Sequence, residues 1–270
     1  MNASERKDLT SCECGYHPEK YNDNCDKYGN PVCSVTKALR NHVIFASFAN
    51  LFDENDPSEY YYDLSGYMGK LRCNWVFLAE IDESFFFLRH RVHAHSRFGE
   101  KVPIHFYNES NEMPVSFTWQ DLKKGHTLAI LYAERKTFLD LSEGIRQEAL
   151  ETCYVFKTGL KNLEEEASKV LDLKDLNFKK SPEKCFSCGV EKESLLRCAK
   201  CKLAVYCSKE CQVKSWQSVH KNLCSQMDVL LRLASLPRNR KFKKYLSFCP
   251  GQDFLSEYVY SERHVQKPLK

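Results

Sequence analysis

The chain has 270 residues, 43% apolar and 28% charged, with 10 Gly and 9 Pro, which excludes wholesale disorder and collagen-like or low-complexity chains and leaves room for one large or two modest domains. The net charge of +4 conceals an asymmetry: from Ser181 onward 17 Lys/Arg face 8 Asp/Glu, whereas residues 1–180 hold 23 against 28. No window approaches the roughly 20 apolar residues of a membrane span, and MNASERKDLTSCECGYH lacks the apolar core of a secretory leader, so the expected location is intracellular, in nucleus or cytoplasm.

Residues 1–35 are polar without an apolar period and read as a flexible arm. Cys12, Cys14, Cys25 and Cys33 lie there near His17; a third metal site is one reading, but C-x-C is a poor knuckle spacing and a loose tail is the default. Residues 36–157 read as a β-rich domain. It opens with an apolar stretch of undetermined type, ALRNHVIFASFANLF, and an acidic, tyrosine-rich loop, DENDPSEYYYDLSGY.

From Leu71 the period becomes two. Leu71, Cys73, Trp75, Phe77, Ala79 and Ile81 alternate with mostly polar partners and predict a strand. Phe86, Leu88, Val92 and Ala94 share one face of the next predicted strand, with Arg89, Arg91, His93 and His95 on the other. A turn at Arg97-Phe98-Gly99 leads to Val102, Ile104 and Phe106, where Pro103 points to an edge strand. Thr118 and Asp121 spell a capping box, Phe117 and Leu122 a staple, and Gly125 a stop, so a short helix is expected. HTLAILYAE reads as a central strand and residues 152–156 as the last. Three strands, a short helix and two strands is the order of a small OB-like barrel. The fold class expected is therefore α+β, with that barrel followed by a helix and a cysteine-rich C-terminal finger.

Residues 158–180 hold a predicted helix, with Leu160, Leu163, Ala167, Val170 and Leu171 on one side, that spaces the barrel from the finger, and then a Lys-rich linker with Ser181-Pro182 at its end. Cysteine dominates the next segment, 181–236. Of 14 cysteines, Cys185, Cys188, Cys198, Cys201, Cys207, Cys211 and Cys224 fall within 40 residues, with His220 before the last. In a reducing compartment that density points to metal rather than disulfides. Two C-x2-C pairs have knuckle spacing, and Cys207/Cys211 and His220/Cys224 are i, i+4, which stacks ligands on one helix face. Eight soft or borderline ligands in four pairs make two tetrahedral zinc sites with no coordination position left open, so the zincs are structural. Four thiolates leave a site at formal charge −2, and three with a neutral imidazole leave −1. Lys184, Lys200, Lys202, Lys209, Lys214 and Lys221 lie close enough in sequence to offset that charge. A segment this small has too little core to fold alone, whereas a structural zinc contributes on the order of 10–16 kcal/mol. Spacing alone leaves open which pairs share an ion.

The run CFSCGVEKESLLRCAKCKLAVYCSKECQVKSWQSVHKNLC resembles a MYND-type zinc finger over its whole length, above all in Y-C-S-x-E-C-Q-x-x-x-W and the closing H-x3-C. The resemblance implies an interleaved cross-brace: Cys185, Cys188, Cys207 and Cys211 on one zinc, Cys198, Cys201, His220 and Cys224 on the other. It also implies a protein-interaction module that docks short, proline-containing peptides, with Gln212 and Trp216 at the matching positions. An exposed Trp beside an amide suits a donor-poor proline segment. Trp216 also begins the stripe Trp216, Val219, Leu223, Met227, Leu230, Ala234, whose helical spacing equally fits packing against the preceding domain. YYYDLSGYMGKLRCNW and ILYAERKTFLDLSEGIRQE further resemble the region ahead of the finger in a group of fungal MYND-domain-containing proteins, a likeness that speaks to architecture rather than activity.

Residues 237–270 form a basic tail. Its run RNRKFKK fits nuclear import or phosphate contact, though such runs are usually solvated surface; Tyr258 and Tyr260 lie further on without a pattern. The leading functional expectation is a zinc-binding protein–protein interaction module, an adaptor or transcription-associated regulator. An alternative is single-stranded nucleic-acid binding by the barrel, where Arg89, Arg91, His93, His95, Phe85 and Phe87 could meet phosphates and stack bases, against the net acidity of residues 1–180. Enzymatic activity is not expected. MYND fingers also occur inserted in SET-type lysine methyltransferases, but the chain shows no recognisable SET signature, phosphate-cradling glycine loop, HExxH or G-x-S-x-G. His93, His95 and His105 as a catalytic metal triad are better explained as a polar strand face.

Overall fold

The computed structural model describes residues 38–55, 61–63, 70–71, 73–108, 116–175 and 183–236. The arm with Cys12, Cys14, His17, Cys25 and Cys33, most of the tyrosine-rich loop, Ser181-Pro182 and the tail from 237 lie outside these residues. The centre is a mixed eight-stranded sheet. β1 (Phe45–Ala46) runs parallel beside the start of β4 (Val76–Phe87), while β2 (Tyr62–Asp63) and β3 (Lys70–Leu71) make a separate short ribbon. β5 (Arg89–Ser96), β6 (Lys101–Phe106), β7 (Thr127–Leu131), β8 (Lys136–Thr137), β9 (Glu143–Gln147) and β10 (Cys153–Phe156) complete it. The order is β10-β7-β4-β5-β6-β9-β8.

Among the described residues the strand order closes no barrel, so of the expected class the mixed α+β character is what stands. β9 pairs parallel with β6, Ile104 opposite Ile145, and antiparallel with β8, which follows β7 after four residues. The class is α+β.

Three local expectations also shift. The strand predicted from Leu71 begins at Val76 and continues to Phe87; Val76–Ala79 is buried on both faces, flanked by β1 and β7, whereas Glu83–Phe87 is exposed. Phe86 and Leu88 therefore leave the buried face that Val92 and Ala94 keep, and Leu88 makes the hairpin turn at φ 63°. Pro103 does not mark an edge strand, because β6 is paired on both sides. The β9 ladder begins one residue later, at Ile104, so the missing N–H falls just outside it.

Other expectations hold. Thr118 and Asp121 form their box, the Thr118 N–H and hydroxyl both donating to Asp121 Oδ2 at 3.0 Å, around a single 3-10 turn, Trp119–Asp121. Phe117 and Leu122 are buried, and Gly125 ends the turn at φ 78°. β7 is wholly buried between β4 and β10.

α1 (Leu160–Asp175) buries Leu160, Leu163, Ala167 and Val170. It follows the spacing 3, 4, 3 of an amphipathic helix. The Glu80 carboxylate of β4 accepts the Leu160 N–H at 2.8 Å, placing an anion at the positive end of the helix. Behind the helix come the finger's short ribbons, β11 (Glu183–Lys184) with β12 (Glu191–Lys192) and β13 (Leu196–Arg197) with β14 (Val205–Tyr206). Then follow α2 (Lys209–Ser215), a π-turn (Trp216–His220), α3 (Lys221–Leu223) and α4 (Met227–Ala234). Met227, Leu230 and Leu233 of α4 are fully buried in the same apolar cluster as α1 and the sheet. Gln226 ties the two ends: its amide N–H donates to the Val155 carbonyl, and its oxygen accepts from Lys157 N–H at 3.2 Å. The open edge of β10 is thus partly closed by a side chain.

Glu80→Ala is expected to lower unfolding free energy by about 1 kcal/mol in urea titration, the usual value of a helix N-terminal cap. An unchanged midpoint and slope would show that the contact is idle.

Candidate metal centre

Each half of the site is assembled from a knuckle and a helical pair. Cys185 and Cys188 bracket a tight turn that closes when Gly189 N–H donates to the Cys185 carbonyl at 2.8 Å; Gly189 takes φ 74°, where glycine is unstrained. The second knuckle repeats this, with Lys202 N–H donating to the Cys198 carbonyl at 2.8 Å and Lys202 itself at φ 58°. Phe186 N–H donates to the Val205 carbonyl at 2.9 Å, lashing the first knuckle to β14, which leads directly into Cys207.

The helical pairs differ from each other. Cys207 precedes the helix: Ser208 is the N-cap of α2, its hydroxyl accepting the Cys211 N–H at 3.3 Å. The expectation that Cys207 and Cys211 share a helix face is thereby corrected to a pair straddling a helix start. His220 and Cys224 are joined by a true i, i+4 bond, Cys224 N–H to the His220 carbonyl at 2.7 Å, and His220 closes the π-turn. A widened turn of this kind re-aims side chains and is frequent at functional sites.

The eight side chains converge in two groups, Cys185, Cys188, Cys207, Cys211 and Cys198, Cys201, His220, Cys224, with ligand atoms within 4.8 Å of one another in each. This is the interleaved pairing. Tetrahedral coordination at a Zn–S length of about 2.3 Å sets sulfurs about 3.8 Å apart. Cys188 and Cys207 sulfurs are separated by 3.5 Å, Cys207 and Cys211 by 3.5 Å, and Cys198 and Cys224 by 3.8 Å. His220 Nε2 lies 3.4 Å from Cys198 Sγ and 3.7 Å from Cys201 Sγ. The two clusters fit two zinc ions.

Their protonation agrees. The Cys207 thiol is pushed up to about 12, first by its contacts with Cys211 and Cys188, and the Cys224 thiol to about 12, first by burial and then by Cys198. Burial opposes ionisation of Cys185, yet the N–H groups of Cys188, Cys207 and Ser187 outweigh it and bring the thiol down to about 6. One thiolate thus raises its neighbours, and a divalent cation is what lets a whole quartet ionise together. Burial lowers the pKa of His220 and favours the neutral imidazole that a metal requires.

Several supporting residues carried no ligand signal in the sequence. Tyr206 is fully buried, its hydroxyl 3.1 Å from Ser215 Oγ and its ring edge-on to both Phe186 and His220. It fills the space between the two clusters. Tyr206 and Ser208 stand within the Y-C-S-x-E-C stretch, where position in the motif was the available sign. Of the two residues matched to peptide contact, Gln212 is half-buried on α2 and Trp216 is 37% exposed one turn later. The rest of the Trp216 stripe turns inward, with Val219 half-buried and Leu223, Met227, Leu230 and Ala234 buried. His93 and His95 lie on an outer strand face, where they bond Glu83 and Asp82 at 2.7 and 2.8 Å.

Comparison with known proteins agrees with this geometry. The family model of the MYND finger matches residues 185–224. Mouse "Histone-lysine N-methyltransferase SMYD3" is 46% identical over 41 residues, which is 15% of this chain and 9% of that protein. Mouse "N-lysine methyltransferase SMYD2" is 48% identical over 46 residues, 17% of this chain and 10% of that protein. Human "Histone-lysine N-methyltransferase SMYD3" is 48% identical over 40 residues, 15% and 9% respectively. The chain therefore matches about a tenth of the length of these relatives. Residues 185–224 are a MYND zinc finger, a kind of module known for protein–protein interaction.

Elemental analysis of the purified protein is expected to give two zinc per chain. A value near zero would contradict the assignment, and three would bring in the cysteines of the N-terminal arm. Cys207→Ala is expected to lower the zinc content, since the remaining three sulfurs no longer close their ion's shell.

Proposed function

We propose that this protein is an intracellular adaptor whose finger docks a short, apolar, proline-containing segment of a partner protein. The observation that carries this reading is Trp216. It stands 37% exposed at the head of a stripe that is otherwise turned inward, next to Val213 at 46%. A large ring left in solvent beside the Gln212 amide matches what a proline-rich segment offers, a rigid apolar surface with few donors.

The zinc sites give that platform its stiffness. The Trp216 ring meets the His220 ring edge-on at 5.8 Å, so the metal that would fix His220 also limits where the indole can sit. A rigid aromatic anchor loses little entropy on binding, which is why Trp recurs at binding hot spots. The eight ligands would fill the coordination shells of both ions, which would then serve as cross-links rather than as reactive centres. The methyltransferase activity named for the relatives belongs to those proteins, whose matched part is the finger alone.

A pull-down with full-length protein, followed by calorimetry with the recovered segment, tests the reading. Trp216→Ala is expected to weaken binding at least about tenfold while two zinc are retained. Undiminished affinity would assign the ring to packing and remove the proposed contact.

A further inference from the structure

The outer face of the sheet carries a pattern that the finger does not explain. Across four strands, Phe85 lies opposite Arg91, Arg91 opposite His105, and His105 opposite Arg146. These four form one row, about 14 Å long at the usual strand spacing. One step toward the hairpin tip, Phe87 lies opposite Arg89. The face is solvent-accessible, with Phe85 39% and Phe87 62% exposed, whereas Val92, Ala94, Ile104 and Ile145 occupy the opposite, buried face.

Arg89 and Arg91 are held in place without a carboxylate beside them among the described residues, whereas Arg146 pairs with Glu148. Tyr107 anchors two guanidiniums, Arg89 at 3.5 Å and Arg146 at 4.3 Å from its ring centre, and Arg91 lies 5.6 Å over Phe87. Among the described residues Arg89 and Arg91 have no carboxylate partner, and the Arg91 Nε is buried without a hydrogen bond. The nearby acids are engaged elsewhere: Glu83 with His93, Asp82 with His95 and Glu148 with Arg146. Burial first, then the positive charges of Arg91, Arg89 and His93, lower the pKa of His105, against the opposing charge of Asp140. Phe138 extends the aromatic surface by stacking on His105 at 4.3 Å. It folds over Gly144, where a Cβ would lie 2.4 Å from the Pro103 carbonyl oxygen and 2.6 Å from the Phe138 ring.

We propose that this face binds single-stranded nucleic acid, with Phe85 and Phe87 stacking bases and Arg89 and Arg91 meeting phosphates. Unpaired guanidiniums complement the phosphate charge, and the exposed rings Phe85 and Phe87 along β4 suit bases that no duplex conceals. The row is long enough for about two or three bases. The net acidity of residues 1–180 does not oppose this, because the charge at the face is set by the side chains that line it. The inference is independent of the finger and of Trp216.

The test is fluorescence anisotropy of the full-length, zinc-loaded protein with labelled oligo-U and oligo-dT of about 12 nucleotides, across a salt series. Binding is expected, weaker for a duplex of the same length. Phe85→Ala is expected to reduce affinity about tenfold. Joint replacement of Arg89 and Arg91 by Ala should flatten the dependence of log affinity on log salt by about 1.4, at roughly 0.7 per phosphate contact in a single strand. Arg91→Lys, which keeps the charge and loses the planar fork, should retain the salt slope and lose part of the affinity. Circular dichroism and zinc content confirm that each variant is folded. Absence of binding overturns the proposal, as does equal affinity for the duplex. Variants that bind like the parent would place the contact on the basic C-terminal third and overturn it too. So would preference for poly-glutamate or phosphatidylserine vesicles over the oligonucleotides.

Discussion

Seven sulfurs and one imidazole are brought into two groups whose ligand atoms lie within 4.8 Å of one another, and that crowding is the constraint on which the C-terminal half depends. Thiolates at such separations repel, and each ionisation makes the next harder. A divalent ion reverses the sign of the problem: what is mutual repulsion without it becomes the cross-link that holds the segment. Interleaving multiplies the effect. Each ion joins a knuckle to a helical pair some twenty residues further on, and the two spans overlap, so Tyr206 and Phe186 pack between clusters that cannot separate independently.

The finger is not an appendage on the sheet. α1 lies between them and buries its apolar stripe in a cluster that continues into Met227, Leu230 and Leu233 of α4. Polar contacts fix the two junctions. Glu80 of the central strand caps α1, and Gln226 bonds Val155 and Lys157 beside the sheet's edge. These groups are half-buried and hydrogen-bonded, an arrangement that specifies orientation where apolar packing alone would allow sliding.

How much of this was legible depended on how far apart in the chain the cooperating residues lie. The ligands were legible because coordination chemistry leaves a local spacing, C-x2-C for a knuckle and i, i+4 for a helical pair. Their sorting between ions is not local, and only the resemblance of the whole stretch to a MYND finger supplied it. Capping by Thr118 and Asp121 was equally local and equally visible. The β9 strand was not, since it pairs with β6 about forty residues earlier, and Glu143–Gln147 has too few apolar residues to signal a strand. Alternation also cannot distinguish a buried ring from an exposed one. Phe86 therefore resembles a core residue, yet it stands in solvent, 67% exposed, at the end of a strand whose first four residues are buried on both faces.

Zinc-edge X-ray absorption on the intact protein probes this most directly, because it reads the atoms around the ions rather than their number. A ligand shell shared between seven sulfurs and one nitrogen over the two ions, with sulfurs at about 2.3 Å and no oxygen, is the expected result. An oxygen neighbour from bound solvent would mean an open coordination position, and would contradict the account of both metals as closed cross-links.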